Sequence, residues 1–434
     1  MTPAARISAA IEVLADIDAR RRPAADALKD WGLAHRFAGS GDRAAIAGLT
    51  YDALRRRASS AWIMGEDTPR AVVLGMLRRE RGMEVNGIAG LTDGSRFAPE
   101  PLSEEERARL AAADLSDAPA HVVGDYPEWL DPHFARVFGE GRAEEGEALA
   151  RRAPVDLRVN TLKVSREDLG VELGELGVEP SRWSPWGLRI ALDAGARSPA
   201  IQSEPSFIRG QFEVQDEGSQ IAALLADARP GQTVVDLCAG AGGKTLALAA
   251  AMANKGQIYA TDIDKRRLAP IHDRLDRAGV RNVQVLTPRR ESDPVDKLKG
   301  QADLVLIDAP CTGTGTWRRN PDAKWRTRPG ALEVRMKEQA EVLDRAAALV
   351  KPGGRVAYVT CSVLAEENAD QVNGFLRRHD GFAVLPVPEM LAPLGERGFM
   401  FRRAVLASDE GLQMTPHRTG TDGFFVSVLR RTPG

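Results

Sequence analysis

Three cysteines in 434 residues are too few and too scattered for a disulfide framework, and their scarcity fits a reducing cytoplasm. The six histidines form no His-x-x-x-His pair and no Cys/His cluster, so no metal site is expected. No run of about 18 uncharged apolar residues occurs, which argues against a membrane span. Near the start, Arg6, Glu12 and Asp16 interrupt the apolar stretch too early for a signal peptide, so a cytoplasmic location is expected. Charge of one sign is also lacking. The net charge of −2 gives no hint of nucleic-acid binding, and any such contact must come from local basic patches. What remains is 43% apolar and 28% charged, an ordinary balance for a soluble globular chain long enough for two or three domains.

The organisation changes twice along the chain. Residues 1 to about 80 read as helical. Ile7, Ile11 and Leu14 recur at helical spacing, as do Ile46, Leu49 and Leu54. Thr68 with Pro69 predicts a third helix start, "GSGDR" a turn before the second helix, and Ser103 with Glu106 a capping box. The arginine runs Arg20–Arg22, Arg55–Arg57 and Arg78–Arg79 read either as solvated helix ends or as an RNA contact. Residues 141–229 shift to a small α+β module: "PVDLRVNTLKVS" alternates like a strand, a helix capped by Ser165 follows, then "WGLRIAL", and "GQFEVQDEGSQIAALLAD" reads as a strand running into a helix. From 230 to 434, strand-like runs at 233–238, 257–262, 282–287, 302–308 and 355–361 alternate with helices at 244–252, 264–278 and 331–350. That alternation predicts a parallel, doubly wound α/β sheet of Rossmann-like type, and "GFFVSVLRR" should add an antiparallel strand to it. The expected domains are therefore 1–140, 141–229 and 230–434.

"DLCAGAGGKT" follows the first of these strands and opens a helix, as a mononucleotide-binding fold requires. Asp262 ends the next strand, where a carboxylate can accept the ribose hydroxyls of an adenosine. A P-loop would need glycine at position 238, which is Cys238, and a dinucleotide fingerprint would need glycine at 245, which is Thr245. Neither alternative explains why cysteines follow apolar strands in "DLCAG", "DAPCTGTG" and "YVTCS". A thiolate beside a methyl donor does have a chemistry. Carbon 5 of cytosine is a poor nucleophile until a thiolate adds to carbon 6; it can then take a methyl group from S-adenosylmethionine, and a base removes the carbon-5 proton. A nucleophilic thiol needs a lowered pKa, which a helix N-terminus or a nearby cation supplies, and both Cys311 and Cys361 precede helix or turn residues.

"LRVNTLK" (157–163), "FEVQDEGSQ" (212–220), "DAPCTGTG", "RRNPDAKWR" (318–326), "TCSVLAEEN" (360–368) and "TDGFF" (421–425) stand in an order that resembles the RNA 5-methylcytosine methyltransferases of the Sun/Fmu family, in particular their bacterial small-subunit rRNA members. The N-terminal helices resemble a NusB-like RNA-binding domain. The resemblance implies S-adenosylmethionine as cofactor, RNA (small-subunit rRNA) as partner, a monomer, and neither membrane nor metal. It makes Cys361 the nucleophile and Cys311 the group that assists product release. The cofactor would lie along Cys238, Ala239, Gly240, Ala241, Gly242, Gly243 and Lys244, with Asp262 at the ribose and Asp308 near the methionine end and the target base. Cys238 then contributes backbone shape, and Lys244 is either a cofactor or loop contact or a solvated lysine.

Two departures stand out. The family's Ala-Pro-Gly-Gly-Lys loop is Gly240–Lys244 with Ala241 in place of proline, and "LTPRRESD" puts Pro288 and Arg289 where an acidic residue would read adenine, so that contact has no assigned residue. RNA contacts are expected from Arg318, Arg319, Lys324, Arg326 and Arg328, with Trp317 and Trp325 either stacking on bases or lying in the core. The alternatives are the same chemistry on tRNA and a non-catalytic RNA-binding assembly factor.

Overall fold

Helix starts in the N-terminal third are set by side chains that cap orphan backbone N–H groups. In the computed structural model, which describes residues 1–192, 199–288 and 293–433, Thr2 opens α1 (Pro3–Arg20) by accepting from the Ala5 N–H at 3.1 Å. Helices α2 (Ala24–Ala34), α3 (Ser40–Arg55) and α4 (Arg57–Met64) follow, and Thr68 caps α5 (Pro69–Arg79) through the Ala71 N–H at 3.2 Å. The Ser103–Glu106 capping box is present in both directions, at 3.1 and 2.8 Å. Ile7, Leu14, Ile46 and Leu54 bury their side chains with Val72–Leu77 of α5 in one core. Two details differ from the sequence reading. Helix α2 has few large apolar positions to announce it, and Ser40, expected in a turn, is the first residue of α3.

These helices belong to one of two units, formed by Met1–Arg152 together with Trp317–Arg328. That second segment overturns part of the expected RNA surface. Trp317 is fully buried and stacks on Phe134 at 5.8 Å, and Trp325 donates its indole N–H to the Leu54 carbonyl at 2.7 Å. Lys324 is also fully buried, donating to the carbonyls of Arg55 (2.8 Å) and Asp125 (2.6 Å). Burial pushes its ammonium down to about 7. Arg318 is buried too, its carbonyl accepting from Arg55 at 2.6 Å. A buried side chain cannot meet a phosphate; only Arg326 and Arg328 of this set are exposed. The arginine runs are likewise not solvated ends throughout. Arg55 and Arg56 are buried, Arg56 on Glu80 (2.6 Å), and Arg57 pairs with Asp18 (2.6 Å) and Asp67 (2.8 Å).

The other unit holds Ala153–Leu192 and residues 199–288, 293–316 and 329–433. Its small sheet has strands β1 (Val155–Val159), β2 (Val178–Pro180), β3 (Gly187–Ile190) and β4 (Phe212–Val214) in the order β2-β3-β1-β4, all antiparallel. Ser165 caps the helix Arg166–Glu172 as read from the sequence. The large sheet follows with β5 (Thr233–Asp236), β6 (Gln257–Thr261), β7 (Val283–Leu286), β8 (Ala302–Asp308), β9 (Val350–Thr360), β10 (Phe382–Val384), β11 (Leu406–Ala407), β12 (Leu412–Met414) and β13 (Phe424–Arg431). Its order is β11-β12-β13-β9-β8-β5-β6-β7, with β10 also paired to β13. Strands β5 to β9 are mutually parallel, and β13 runs antiparallel to β9 as the tail pattern predicts.

Successive residues of the central strands enter opposite cores: Val234, Leu304, Leu306 and Ala357 on one face, Val235, Val305, Ile307 and Val356 on the other. Burial of both faces explains why these strands read as continuous rather than alternating apolar runs. The helix expected over 264–278 is instead two, Lys265–Leu268 and Ile271–Ala278, because Pro270 has no N–H to continue the ladder. Arg289 lies outside the described residues.

Candidate active site

In an open parallel sheet, ligands bind beyond the carboxyl ends of the strands where the strand order reverses. Here that point lies between β5 and β8, and the two strands deliver the glycine loop and Asp308. Gly242 adopts φ +83°, and a Cβ there would lie 2.5 Å from Ile271 Cγ1, so only glycine fits between this loop and the next helix. Lys244, on the first turn of the helix Gly243–Ala251, is buried and pairs with Asp308 at 2.7 Å, its ammonium also lying 5.1 Å from the Phe424 ring. It is not a solvated lysine. Neither its partner nor its burial was evident from the sequence.

Asp262 is buried at the end of β6. Its two carboxylate oxygens accept the Gly240 N–H at 2.9 Å and the Asp264 N–H at 2.8 Å. Each oxygen keeps a second lone pair for a ligand hydroxyl. The adjacent Ile263 is 90% exposed, an apolar surface beside a carboxylate, and this residue had no place in the sequence reading. Under the loop, Asp236 is fully buried and accepts the Thr245 hydroxyl at 2.7 Å, while its Oδ1 meets no hydrogen-bond donor among the described residues. Burial pushes its carboxyl up to about 7, and the charges of Asp308 and Asp262 add to that. Desolvation and the nearby Asp236, Asp262 and Asp308 carboxylates raise the Cys238 thiol far above its usual range, and its half-buried side chain packs against the apolar core on that face of the sheet.

Cys311 and Cys361, fifty residues apart in sequence, meet with their sulfurs 3.2 Å apart. Two backbone bonds hold the strand ends together: the Gly315 N–H donates to the Cys361 carbonyl at 2.9 Å, and the Gly423 N–H to the Gly315 carbonyl at 2.8 Å. Glu367, fully buried, fixes the turn after Cys311. It accepts the Thr312 N–H (2.8 Å), the Thr312 hydroxyl (2.5 Å) and the Gln339 amide (3.0 Å). Asn368 does the same after Cys361, donating to the Ser362 carbonyl at 2.9 Å and accepting the Thr360 hydroxyl at 2.5 Å. Glu367 and Gln339 escaped the sequence reading, because a buried glutamate in "LAEEN" looks like any acidic turn residue. The Cys311 thiol is pushed up, first by its hydrogen bond with Cys361, then by burial and the Cys361 and Glu367 charges. That is opposite to the lowering expected from its position before a turn.

Comparison with known proteins fits this geometry. Residues 223–430 match the family described as 16S rRNA methyltransferase RsmB/F, and residues 126–194 match the RsmF/B-like ferredoxin-like domain. The chain is 32% identical over 358 residues to the probable ribosomal RNA small subunit methyltransferase B of Synechocystis sp., covering 80% of this chain and 76% of that protein. The chain belongs to the RsmB/F family. The crystal structure of PH0851 superposes with a TM-score of 0.71 at 28% identity, covering 99% of both chains. A methyltransferase homolog from Pyrococcus horikoshii gives 0.58 at 28% identity, covering 72% of this chain and 97% of that one. The fold is that of the S-adenosylmethionine-dependent methyltransferases, with a helical region ahead of it, and S-adenosylmethionine is the cofactor. The residues present fit that cofactor: a buried carboxylate with free lone pairs for a ribose, an exposed aliphatic side chain beside it for a flat base, and a glycine loop the backbone of which nothing larger could form.

Proposed function

We propose that this RsmB/F family member methylates carbon 5 of a cytosine in small-subunit rRNA through a covalent bond between Cys361 and carbon 6. The observation that carries the reading is the pair of sulfurs 3.2 Å apart at the carboxyl ends of β8 and β9, beside the switch point of the sheet. S-adenosylmethionine supplies an electrophilic methyl group on its sulfonium. The protein's part starts with the Cys361 thiolate, which adds to carbon 6 and makes carbon 5 nucleophilic. After carbon 5 has taken the methyl group, its proton must leave so that the Cys361–carbon bond can break by elimination.

In this reading Cys311 takes that proton. In the resting pair the contact with Cys361 is the largest influence keeping Cys311 protonated. Once the Cys361 sulfur is bonded to carbon it no longer carries charge, and Cys311 is then freer to lose its proton and act as the base. The family resemblance assigns the same roles. Asp262 and the Cys238–Lys244 loop hold the cofactor, and the Lys244–Asp308 ion pair ties that loop to the end of β8, three residues before Cys311. The cytosine must be unpaired or flipped out for carbon 6 to reach a sulfur.

The two thiols should fail differently. Incubated with small-subunit rRNA and methyl-labelled S-adenosylmethionine, Cys311→Ala should trap a labelled protein–RNA adduct stable in denaturing gels. Cys361→Ala should give neither adduct nor methylated RNA. An adduct from Cys361→Ala and none from Cys311→Ala would reverse the roles, and undiminished methylation by both variants would end the covalent mechanism. Bisulfite sequencing of the product RNA reads whether the methyl group sits on carbon 5.

A further inference from the structure

Trp317, Arg318 and Lys324 are buried, and of the arginine runs Arg20, Arg22, Arg55, Arg56, Arg57 and Arg78 are engaged in ion pairs while Arg79 donates to the Ser59 hydroxyl. Between α2 and α3 lies a cavity of about 330 Å³, floored by Leu28 and Ile46, walled by Trp31 and Tyr51, and rimmed by Lys29 and Arg43. Its aromatic wall is held in place. The Trp31 indole N–H donates to Glu12 at 3.0 Å, and its ring stacks on His35 with centroids 4.2 Å apart and planes 15° apart. Phe37 continues the series, edge-on to His35 at 5.7 Å and 73% exposed. A solvent-facing ring of this kind has no role in the core.

The cavity lining holds two cations, Lys29 and Arg43, and no carboxylate among the described residues. Asp30 is taken by Arg22 at 2.5 Å, Asp16 also by Arg22, and Glu12 by Trp31. Lys29, Arg36 and Arg43 are exposed and pair with no carboxylate among the described residues. Arg43 is positioned as well as exposed: its Nε donates to the Ala38 carbonyl at 2.9 Å, and its side chain lies over Gly32, where a Cβ would stand 3.5 Å from it. A preformed aromatic wall with two cations on its rim recognises a flat ring that carries a neighbouring phosphate. The sugar–phosphate chain of a single strand offers both, whereas a duplex keeps its bases inside the stack.

We infer that the α2–α3 cavity is a second RNA-binding site, taking an unpaired nucleobase against Trp31 while Lys29 and Arg43 hold the flanking phosphates and the exposed Phe37 ring, next along beyond His35, offers a face to the adjoining base. This rests on the reading that RNA is the substrate, and it adds a contact outside the methyl-transfer site. The site secures a single-stranded segment of the RNA independently of which cytosine is methylated. It therefore contributes to substrate affinity and not to the chemical step.

The test uses the full chain and the exposed residues Lys29, Arg43 and Phe37. Filter binding across a salt series compares a single-stranded RNA of about 12 nucleotides with the same sequence as a duplex, and includes a deproteinised small-subunit rRNA transcript. The wild type should prefer the single strand. Lys29→Glu with Arg43→Glu should reduce the slope of log affinity against log salt by about 1.4, two phosphates at about 0.7 each. Phe37→Ala should weaken single-strand binding by about tenfold, within the range for loss of one stacked base. Lys29→Arg with Arg43→Lys should restore both affinity and slope. On the transcript, the charge-reversed protein should show a raised KM with kcat unchanged. Unaltered slope and affinity in both the charge-reversed and Phe37→Ala proteins would overturn the inference. If instead the wild type methylates no small-subunit transcript, the proposed function fails, and the oligonucleotide binding still decides the cavity.

Discussion

Asp236 sits under the glycine loop with no exposed surface, one oxygen on Thr245 and the other without a donor among the described residues. Its carboxyl is raised from about 4 in an unfolded chain to about 7 by burial, which sets a sign. The neutral form stabilises the fold fully below about pH 4, and that contribution is lost as pH rises through about 7. Asp236→Asn removes the titration and keeps an acceptor for Thr245. Without cofactor, its stability relative to wild type should rise between pH 4 and 7 and level off above, read by urea denaturation at each pH; a difference independent of pH would contradict the raised carboxyl. Lys324 is the converse case. Replaced by methionine, it should destabilise the helical unit by about 1–3 kcal/mol for each carbonyl left without a donor, yet leave the salt slope of RNA binding unchanged. Single residues were legible in the sequence where a local rule spoke. Cys311, Cys361 and Asp262 each follow an apolar strand, and position at a strand end is what brings them to one edge of the sheet. Lys324, Glu367 and the Lys244–Asp308 pair were not legible, because a charged side chain shows its burial only through partners distant in sequence.

Among the elements, the close approach of two motif segments carries the strictest requirement. A Cβ on Gly315 would lie 2.1 Å from the Gly423 carbonyl oxygen, and Gly315 is also the residue bonded to the Cys361 backbone. Gly315→Ala must push the start of β13 away from the strand ends that bring the thiols together. Overpacking against backbone should cost about 3 kcal/mol, and the misplaced thiols should lower kcat more than KM. A stability loss with kcat intact would mean that the thiols do not depend on this contact. The five parallel strands and the antiparallel tail were readable, because two-sided burial writes continuous apolar runs into the central strands, whereas the short β10, β11 and β12 carry too few residues to show a pattern. The break at Pro270 was present in the sequence as the proline itself, and the long apolar spacing around it outweighed that signal. Helix α2 was missed for the opposite reason: its buried residues are Ala24, Ala27 and Gly32, too small to mark a face.

On the scale of the whole molecule, the segment Trp317–Arg328 is part of the helical unit although more than 160 residues separate it from Arg152. Its interactions there include Trp317 on Phe134, Trp325 on Leu54 and the Ala24 N–H donating to Asp322 at 3.2 Å. Synthesis is vectorial, so this unit waits. When the ribosome has released the first 152 residues, Phe134 and the carbonyls of Arg55, Leu54 and Asp125 still lack the partners that complete them. A fragment of residues 1–152 should therefore be loosely packed, with fast amide hydrogen exchange in α2 and α4. Adding a peptide of residues 316–328 should slow that exchange, while the same peptide carrying Lys324→Glu should not. Full protection in the fragment alone would show that the helices need no late-arriving piece. Otherwise the order of translation and the order of folding part company in this protein: the portion made first is among the last to be finished.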